Sequence, residues 1–388
     1  MKKSVLAVAI AAAAFAASAA SAAQVYDKDG TTLAVGGQVE FMAGNAGNNY
    51  FSNAGQDATT RDRARVNMAG RTQLTNNIAG YGFMEWEINH AGNSTESQNV
   101  NARFAYLGVD FGKFGKVQVG RYNDPFEYAS NLVDVLDEVG VYGGQDERNS
   151  GHISYMWSGF GFDAGISYQM AVDNYKSDIF SNKAADGFNV DSGFSVYAGY
   201  TSPAVVFGPI SVRAAYLYLN GQDTNEYADH FAGTSLTANG VKVAGIHVDD
   251  VKSIDGALAW GTNGKGFYIA TNYNYTKANG SIWGDDDTGS YKVKAWESVA
   301  SYGFANGVRL GASYHYVKFD LTDLADDLKG DAKYVQLIAD YNVTPNFKIW
   351  AEGLIDAGSD DYVSKIQSSV NGNKDSHNSV MFGARYVF

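Results

Sequence analysis

The chain has no cysteine among its 388 residues and only four prolines. Without cysteine there is no disulfide framework, so a chain of this length must be held by packing or by a closed hydrogen-bond network. Its six histidines are scattered with no H-x-x-x-H or comparable ligand spacing, and neither a metal site nor a cofactor is expected. Past the N-terminal segment no run approaches the ~18 consecutive apolar residues of a spanning helix, which excludes membrane crossing by helices. A basic excess is also lacking: 29 Lys and Arg stand against 42 Asp and Glu. Nucleic acid, which wants a basic face, is excluded as a partner. What is abundant is glycine (44), tyrosine (26) and phenylalanine (21), a composition of many strands and turns.

The N-terminus carries the marks of an export leader. Lys2 and Lys3 precede an apolar stretch from Val5 to about Ala17, then a small-residue run from Ser18 to Ala23 in which Ala20-Ser21-Ala22 fits an A-x-A cleavage site. The expected division is a signal peptide over residues 1–22, cleaved after Ala22 or Ala23, and a single mature domain over 23–388. Loss of Lys2 and Lys3 leaves 27 basic residues against 42 acidic ones, a formal charge of −15.

Period-two alternation runs through the mature chain. In 160–170, Phe160, Phe162, Ala164, Ile166, Tyr168 and Met170 share one face, with Asp163, Ser167 and Gln169 opposite. In 267–276, Phe267, Ile269, Thr271, Tyr273 and Tyr275 oppose Asn272, Asn274 and Thr276, and in 308–317 Val308, Leu310, Ala312, Tyr314 and Tyr316 oppose Arg309, Ser313 and His315. Each window is about ten residues, the length of a tilted strand crossing a bilayer. Tight connections at 76–77, 112–115, 158–159, 201–209, 262–266, 306–307 and 344–346 alternate with long polar stretches at 44–62, 90–99, 122–147, 172–190, 220–250, 276–289, 320–331 and 357–376. The segmentation predicts sixteen strands with both termini on the short-turn side. A secreted sandwich also alternates, but its loops are short at both ends. Backbone groups in lipid must all be paired, so the expected fold is all-β: a transmembrane antiparallel barrel closed on itself. The terminal stretch SVMFGARYVF puts Val380, Phe382, Ala384, Tyr386 and Phe388 on one face, and it is expected to close the barrel against the first strand, near residues 33–43.

The stretches QVYDKDGTTLAVGGQVEF, RARVNMAGRTQLTNNIAGYGFMEWEI and NARFAYLGVDFGKFGKVQVGR, with the terminal RYVF, resemble the general diffusion porins of Gram-negative outer membranes. The resemblance is strong over 23–157 and at the C-terminus and weaker between. It implies three barrels to an assembly, each with its own water-filled pore, an outer-membrane location with both termini periplasmic, and a terminal signal, here Tyr386 and Phe388, read by the outer-membrane assembly machinery. It also implies that the third long loop, about 122–147, folds inward and sets carboxylates against wall arginines. Asp134 and Glu138 match the acidic positions, four apart, so one helical turn would present both on the same side; Asp137 is an additional carboxylate where the family commonly has proline. The matching arginines are Arg65, Arg103 and Arg148. Parity supports their facing the lumen: Arg65 alternates with Val66 and Met68, Arg103 opposes Phe104 and Tyr106, and Arg148 shares a face with Ser150 and His152. An arginine facing lipid near mid-bilayer would cost about 2 to 4 kcal/mol. Glu85 is expected among the arginines. Where the family's first strand typically has a lumen lysine this chain has Gln38, followed on the same face by Glu40, which with Asp137 and the negative net charge suggests a cation-preferring pore; pairing of Glu40 with a lumen arginine is the alternative. By position, Glu96 and Arg121 match a contact between neighbouring barrels.

The function expected on these grounds is passive diffusion of small hydrophilic solutes. The rival is a substrate-specific channel, for example for an oligosaccharide, with Tyr334 and Trp350 on inward parity as candidate guides. An enzyme is not expected: no G-x-S-x-G elbow occurs, and Ser150 with His152 is the only notable pair. Acidic clusters at Asp285 to Asp287, at Asp323, Asp326 and Asp327, and at Asp360 and Asp361 are either solvated loop charge or holders of divalent cations that bridge lipopolysaccharide and other outer-membrane lipid.

Overall fold

The computed structural model describes residues 22–44, 59–91, 100–137, 148–175, 188–222, 235–238, 241–244, 246–282, 288–320, 329–358 and 378–388. Sixteen antiparallel strands form one closed barrel. In chain order they are β1 (Thr31–Gly44), β2 (Thr59–Thr75), β3 (Ile78–Ala91), β4 (Val100–Asp110), β5 (Lys116–Tyr122), β6 (Asn149–Gly159), β7 (Phe162–Gln169), β8 (Phe188–Val205), β9 (Gly208–Gly221), β10 (Ile246–Thr262), β11 (Lys265–Ile282), β12 (Thr288–Gly303), β13 (Val308–Asp320), β14 (Lys329–Thr344), β15 (Phe347–Asp356) and β16 (Ser379–Val387). Each pairs with its chain neighbour, and β16 returns to β1 in a register running from Gln38 opposite Val387 to Gly44 opposite Met381. The chain end completes that seam: Gly37 N donates to Phe388 O at 2.9 Å and Phe388 N to Gly37 O at 3.0 Å. The expected closure by the terminal strand is therefore present, and neither strand is left with an open edge. An N-terminal arm, Ala23–Lys28, folds back on the start of β1.

Side chains sort by parity. Val39, Phe41, Val66, Met68, Ile166, Tyr168, Ile269, Tyr273 and Leu310 are exposed on the outer surface, while Glu40, Met42, Asn67, Ser167, Gln169, Asn272 and Asn274 are buried on the inner one. This is the inverse of a soluble sandwich: the apolar residues of each strand face outward, where only lipid can accommodate them. Two aromatic belts edge the outer face. At the short-turn end Phe207 stacks on Trp260 at 4.0 Å and Phe267 meets Tyr302 at 5.7 Å. At the long-loop end Phe194 meets Tyr216 at 5.8 Å and Trp296 meets Tyr314 at 6.1 Å.

Strand lengths and turns differ from expectation. β8 and β11 each run 18 residues rather than ten, so the polar stretches expected at 172–190 and 276–289 are partly strand, and a short hairpin pairs Ser235–Ala238 with Val241–Ala244 inside the expected 220–250 loop. Beyond the lipid the outer face no longer needs apolar residues, so a strand there loses its alternation without losing its ladder. The turn expected at Ser158-Gly159 lies two residues on, at Phe160-Gly161, where both residues have positive φ (56° and 86°), as tight primed hairpin turns require. The connection expected over 201–209 is the two-residue turn Val206-Phe207.

Gly37 is packed at the seam so closely that an added Cβ would lie 2.4 Å from Arg65 O and 2.8 Å from the Phe388 ring. Gly37→Val is expected to destabilise the folded barrel by about 1 to 3 kcal/mol, visible as a lower temperature for loss of the fast-migrating folded form in unheated electrophoresis. Unchanged thermal migration would show that the seam tolerates the side chain.

Candidate functional site

Three of the expected arginines meet on the inner wall of β2 to β6. Arg65 Nε donates to Glu87 Oε2 at 2.5 Å. Arg103 Nε donates to Glu85 Oε1 at 2.8 Å and its Nη1 to Glu87 Oε2 at 3.3 Å. The Arg103 and Arg148 guanidinium groups lie 5.9 and 5.7 Å from the centre of the Phe104 ring. The route by which Arg103 arrives there differs from the parity argument. Ala102 pairs with Trp86 and Phe104 with Glu85, so Arg103 is the extra residue of a β-bulge. Phe104 and Tyr106 consequently share the inner side with the arginine, and both pack on Phe83, at 5.8 and 5.5 Å. Strict alternation does not reach Arg148 either, whose φ is +74°, just before a register shift that places Asn149 opposite Tyr122.

A second ionic cluster sits at the β1/β16 seam. Glu40 is fully buried and accepts from Arg63 Nε at 2.9 Å, and from Arg385 Nε and Nη2 at 3.0 and 2.6 Å. The alternative in which Glu40 pairs with inner-wall arginines is the observed one, and its carboxylate is compensated twice over. Gln38 stands beside it, opposite Arg65 in the β1/β2 register. Arg385 reaches Asp137 as well, at 2.9 Å, and Lys348 approaches Asp137 at 2.6 Å and Asp340 at 3.5 Å.

Asp137 belongs to the segment that leaves β5, and the contacts of that segment trace its path across the interior. Asp124 caps the 3-10 turn Pro125–Tyr128 by accepting from Phe126 N at 2.8 Å, and Ser167 on β7 donates to its other oxygen. Arg213 on β9 donates to Tyr128 O at 2.7 Å. Leu132, Val133 and Val135 then pack on Ala257, Ala259, Ala270 and Val299 of β10 to β12, and Tyr268 OH donates to Leu132 O at 2.5 Å. The segment ends at the far wall, where Asp137 N donates to the Glu352 carboxylate. Alanines on the inward parity of β10 and β11, where a wet lumen would carry polar residues, are the sequence signal that marks this docking strip. Asp134 projects from the segment and is exposed. The helical turns lie at Pro125–Tyr128 and Ser130–Leu132, upstream of Asp134, rather than across it. Glu138, Glu96 and the acidic clusters at 285–287, 323–327 and 360–361 lie outside the described residues. Arg121 pairs with outward-facing Ala105 and donates to Ala102 O at 3.0 Å.

Parity alone did not single out the polar chain under the docked segment. His315 Nδ1 lies 2.7 Å from Glu297 Oε1, its Nε2 lies 2.8 Å from Ser313 Oγ, and Ser313 Oγ donates to Gln336 Oε1 at 2.9 Å. Asn274 donates to Asp255 at 3.2 Å beside it. Tyr334 stacks flat on His315 at 4.8 Å, and Trp350 is buried with Met42 and Met381. Both aromatic rings therefore fill the wall. Ser150 is exposed whereas His152 is buried against Tyr122, so the pair weighed as a reactive couple is split by the Gly151 kink at φ +82°.

A closed barrel with an apolar outer face, a polar and ionic interior and a segment crossing that interior defines a membrane channel. The chain belongs to the Gram-negative porin family, whose model matches residues 7–354. Among curated relatives, outer membrane protein S2 of Salmonella typhi is 28% identical over 395 aligned residues, covering 93% of this chain and 94% of the relative. Outer membrane porin C of Salmonella typhimurium is 27% identical, with 85% and 86% covered. Among solved structures, OmpF of Salmonella typhi in complex with daunomycin superposes with a TM-score of 0.69 at 21% identity, over 94% of this chain and all of that one. The anion-selective porin of Comamonas acidovorans gives 0.61 at 16% identity, over 92% of this chain and all of that one. The protein is an outer-membrane passive-diffusion channel, not an enzyme.

Glu40→Gln removes the charge that holds Arg63 and Arg385 together and is expected to destabilise the barrel by about 3 kcal/mol, the usual penalty for stranding a buried charge. The check is denaturant unfolding of the reconstituted barrel. Tyr268→Phe frees the Leu132 carbonyl and is expected to cost about 1 kcal/mol, with more frequent current fluctuations in single-channel traces.

Proposed function

We propose that the pore conducts small hydrophilic solutes and ions without a dedicated substrate, with a mild preference for cations. The supporting observation is the asymmetry of charge pairing inside the barrel. Arg63, Arg65, Arg103 and Arg385 are each in contact with an inward carboxylate, whereas Asp134 stands exposed on the crossing segment with no cation in contact among the described residues. A passing ion meets a wall of largely neutralised arginines on one side and a carboxylate on the other. In this reading Asp134 and Glu138 are the acidic side of the constriction, Arg65, Arg103 and Arg148 the basic side, and Asp137 the tie that fixes the segment's far end. The transverse field orients dipolar solutes, while an apolar solute must displace ordered water and gains nothing in return. Weak interaction lets each solute leave again. The burial of Tyr334 and Trp350 in the wall argues against an aromatic slide for an oligosaccharide.

The same reading makes the protein a homotrimer with Arg121 and Glu96 at the contact between barrels, delivered by a cleaved leader over 1–22. Tyr386 and Phe388, exposed on the outer face, would be presented to the assembly machinery.

The test is reversal potential in a planar bilayer under a KCl gradient. Wild type is expected to give large ohmic steps with cation preference. Asp134→Asn/Glu138→Gln should reduce that preference, and Arg103→Gln, which releases Glu85 and leaves Glu87 to Arg65 alone, should increase it. Absent conductance, or conductance blocked by one oligosaccharide and not by others, would replace general diffusion by a specific channel or a non-transport barrel.

A further inference from the structure

A water-filled lumen is lined by polar and charged side chains, yet the inner wall of β4 presents an aromatic ring beside the arginines. Phe104 faces inward opposite Glu85, one residue past the bulge that admits Arg103. In a regular ladder one of these two neighbours would point to lipid; the extra residue keeps both inside. Bulges of this kind re-aim side chains and gather next to functional sites. The inward aromatics around it, Tyr81, Phe83 and Tyr122, are buried, whereas Phe104 is half-buried and keeps part of its ring at the lumen. Arg103 and Arg148 are half-buried in the same way.

The ring is braced. Phe83 meets it at 5.8 Å with an interplanar angle of 67°, and Tyr106 at 6.4 Å with 81°, both edge to face, which fixes its plane. Two cations share it: the Arg103 and Arg148 guanidinium groups stand 5.9 and 5.7 Å from its centre. Arg103 gives Nε to Glu85 and Nη1 to Glu87, and its Nη2 has no partner among the described residues. Glu85 is the more deeply buried member of its pair, at 4% side-chain exposure against 18% for Arg103, so the guanidinium is the group a solute meets. An apolar surface and donors for an anion are thus held side by side at fixed spacing.

We propose that Phe104, Arg103 and Arg148 form a weak subsite for planar aromatic carboxylates in transit. A flat ring stacked with an offset on Phe104 carries its carboxylate to the edge of that ring, where the guanidinium groups stand and charge-assisted hydrogen bonds await it. An aliphatic acid meets the charge without the ring, and a neutral aromatic meets the ring without the charge. An aromatic cation is refused by the two guanidinium groups already there. The subsite rests on the reading of the lumen as an open pore and adds to it a class of solute that is delayed at the wall; each contact is weak enough for release on either side.

The test is excess current noise of the full-length channel in a planar bilayer at constant voltage, which reports a solute entering and leaving the lumen. The probes are benzoate, cyclohexanecarboxylate and benzamide, at a pH where both acids are ionised. Wild type is expected to half-saturate with benzoate at about fivefold lower concentration than with cyclohexanecarboxylate, the worth of one aromatic pair, and at least about tenfold lower than with benzamide, the worth of a charged hydrogen bond. Phe104→Leu should abolish the difference between the two acids, and Phe104→Trp should restore it. Arg148→Gln should weaken both acids together and keep their ratio. Equal half-saturation by the two acids on wild type, or a ratio that survives Phe104→Leu, overturns the subsite. If Phe104→Leu does not fold, the comparison of the three probes on wild type decides alone. Normal KCl steps without benzoate noise overturn the subsite and leave general diffusion standing, whereas absence of KCl steps removes the open pore and the subsite with it.

Discussion

Every backbone amide inside a bilayer must find its partner within the protein, and that requirement organises this molecule. It demands a sheet without edges, so the last strand has to find the first, and the chain ends on a residue whose own amide and carbonyl are both bonded to Gly37. Once the sheet closes, one face of each strand belongs to lipid and the other to an interior too wide to be filled by side chains alone. The alternation of apolar and polar residues follows from that division, as do the belts of aromatic rings where the two solvents meet.

The interior solves a different problem. A wet lumen could be lined with neutral residues, but this one concentrates charge in two places. On β2 and β4, Arg65 and Arg103 are held by Glu85 and Glu87 of β3; at the seam, Glu40 holds Arg63 and Arg385. Both groups are fixed by carboxylates on neighbouring strands, so the field across the lumen is set by the rigid wall rather than by mobile side chains. The segment from Asn123 to Asp137 takes up the remaining apolar strip, where alanines on β10 and β11 leave space for Leu132 and Val133.

Much of this was legible in the residues, and the limits are physical. Parity shows which side a residue faces only while the ladder is regular, so Val39, Phe41, Gln38 and Glu40 were readable from the pattern. A bulge inserts a residue without leaving a compositional trace, which is why the side shared by Arg103, Phe104 and Tyr106 was not readable. Turns slipped for a related reason: Phe160 looks like a lipid-facing strand residue and serves as a turn residue with positive φ. The Glu297, His315, Ser313 and Gln336 chain joins three strands, and only the register between them brings those side chains into line. The inward path of the crossing segment was expected from the resemblance, but its anchors on Tyr268, Arg213 and Lys348 depend on which strands face each other across the lumen.

The buried carboxylate of Glu40 has a bearing on how the barrel finds its final form. Closing β16 on β1 is the step with most room for error, since any offset between two strands of similar pattern would still make ladder bonds. A slip of one residue would turn Arg385 toward lipid and leave Glu40 facing Arg63 alone; a slip of two would keep the parity but pull the guanidinium about 7 Å along the strand, out of reach. Only one offset lets a single carboxylate be shared by both arginines. The seam thus carries its own key, cut so that the lock turns in one position, and a misaligned barrel is left with a fault it can relieve only by reopening.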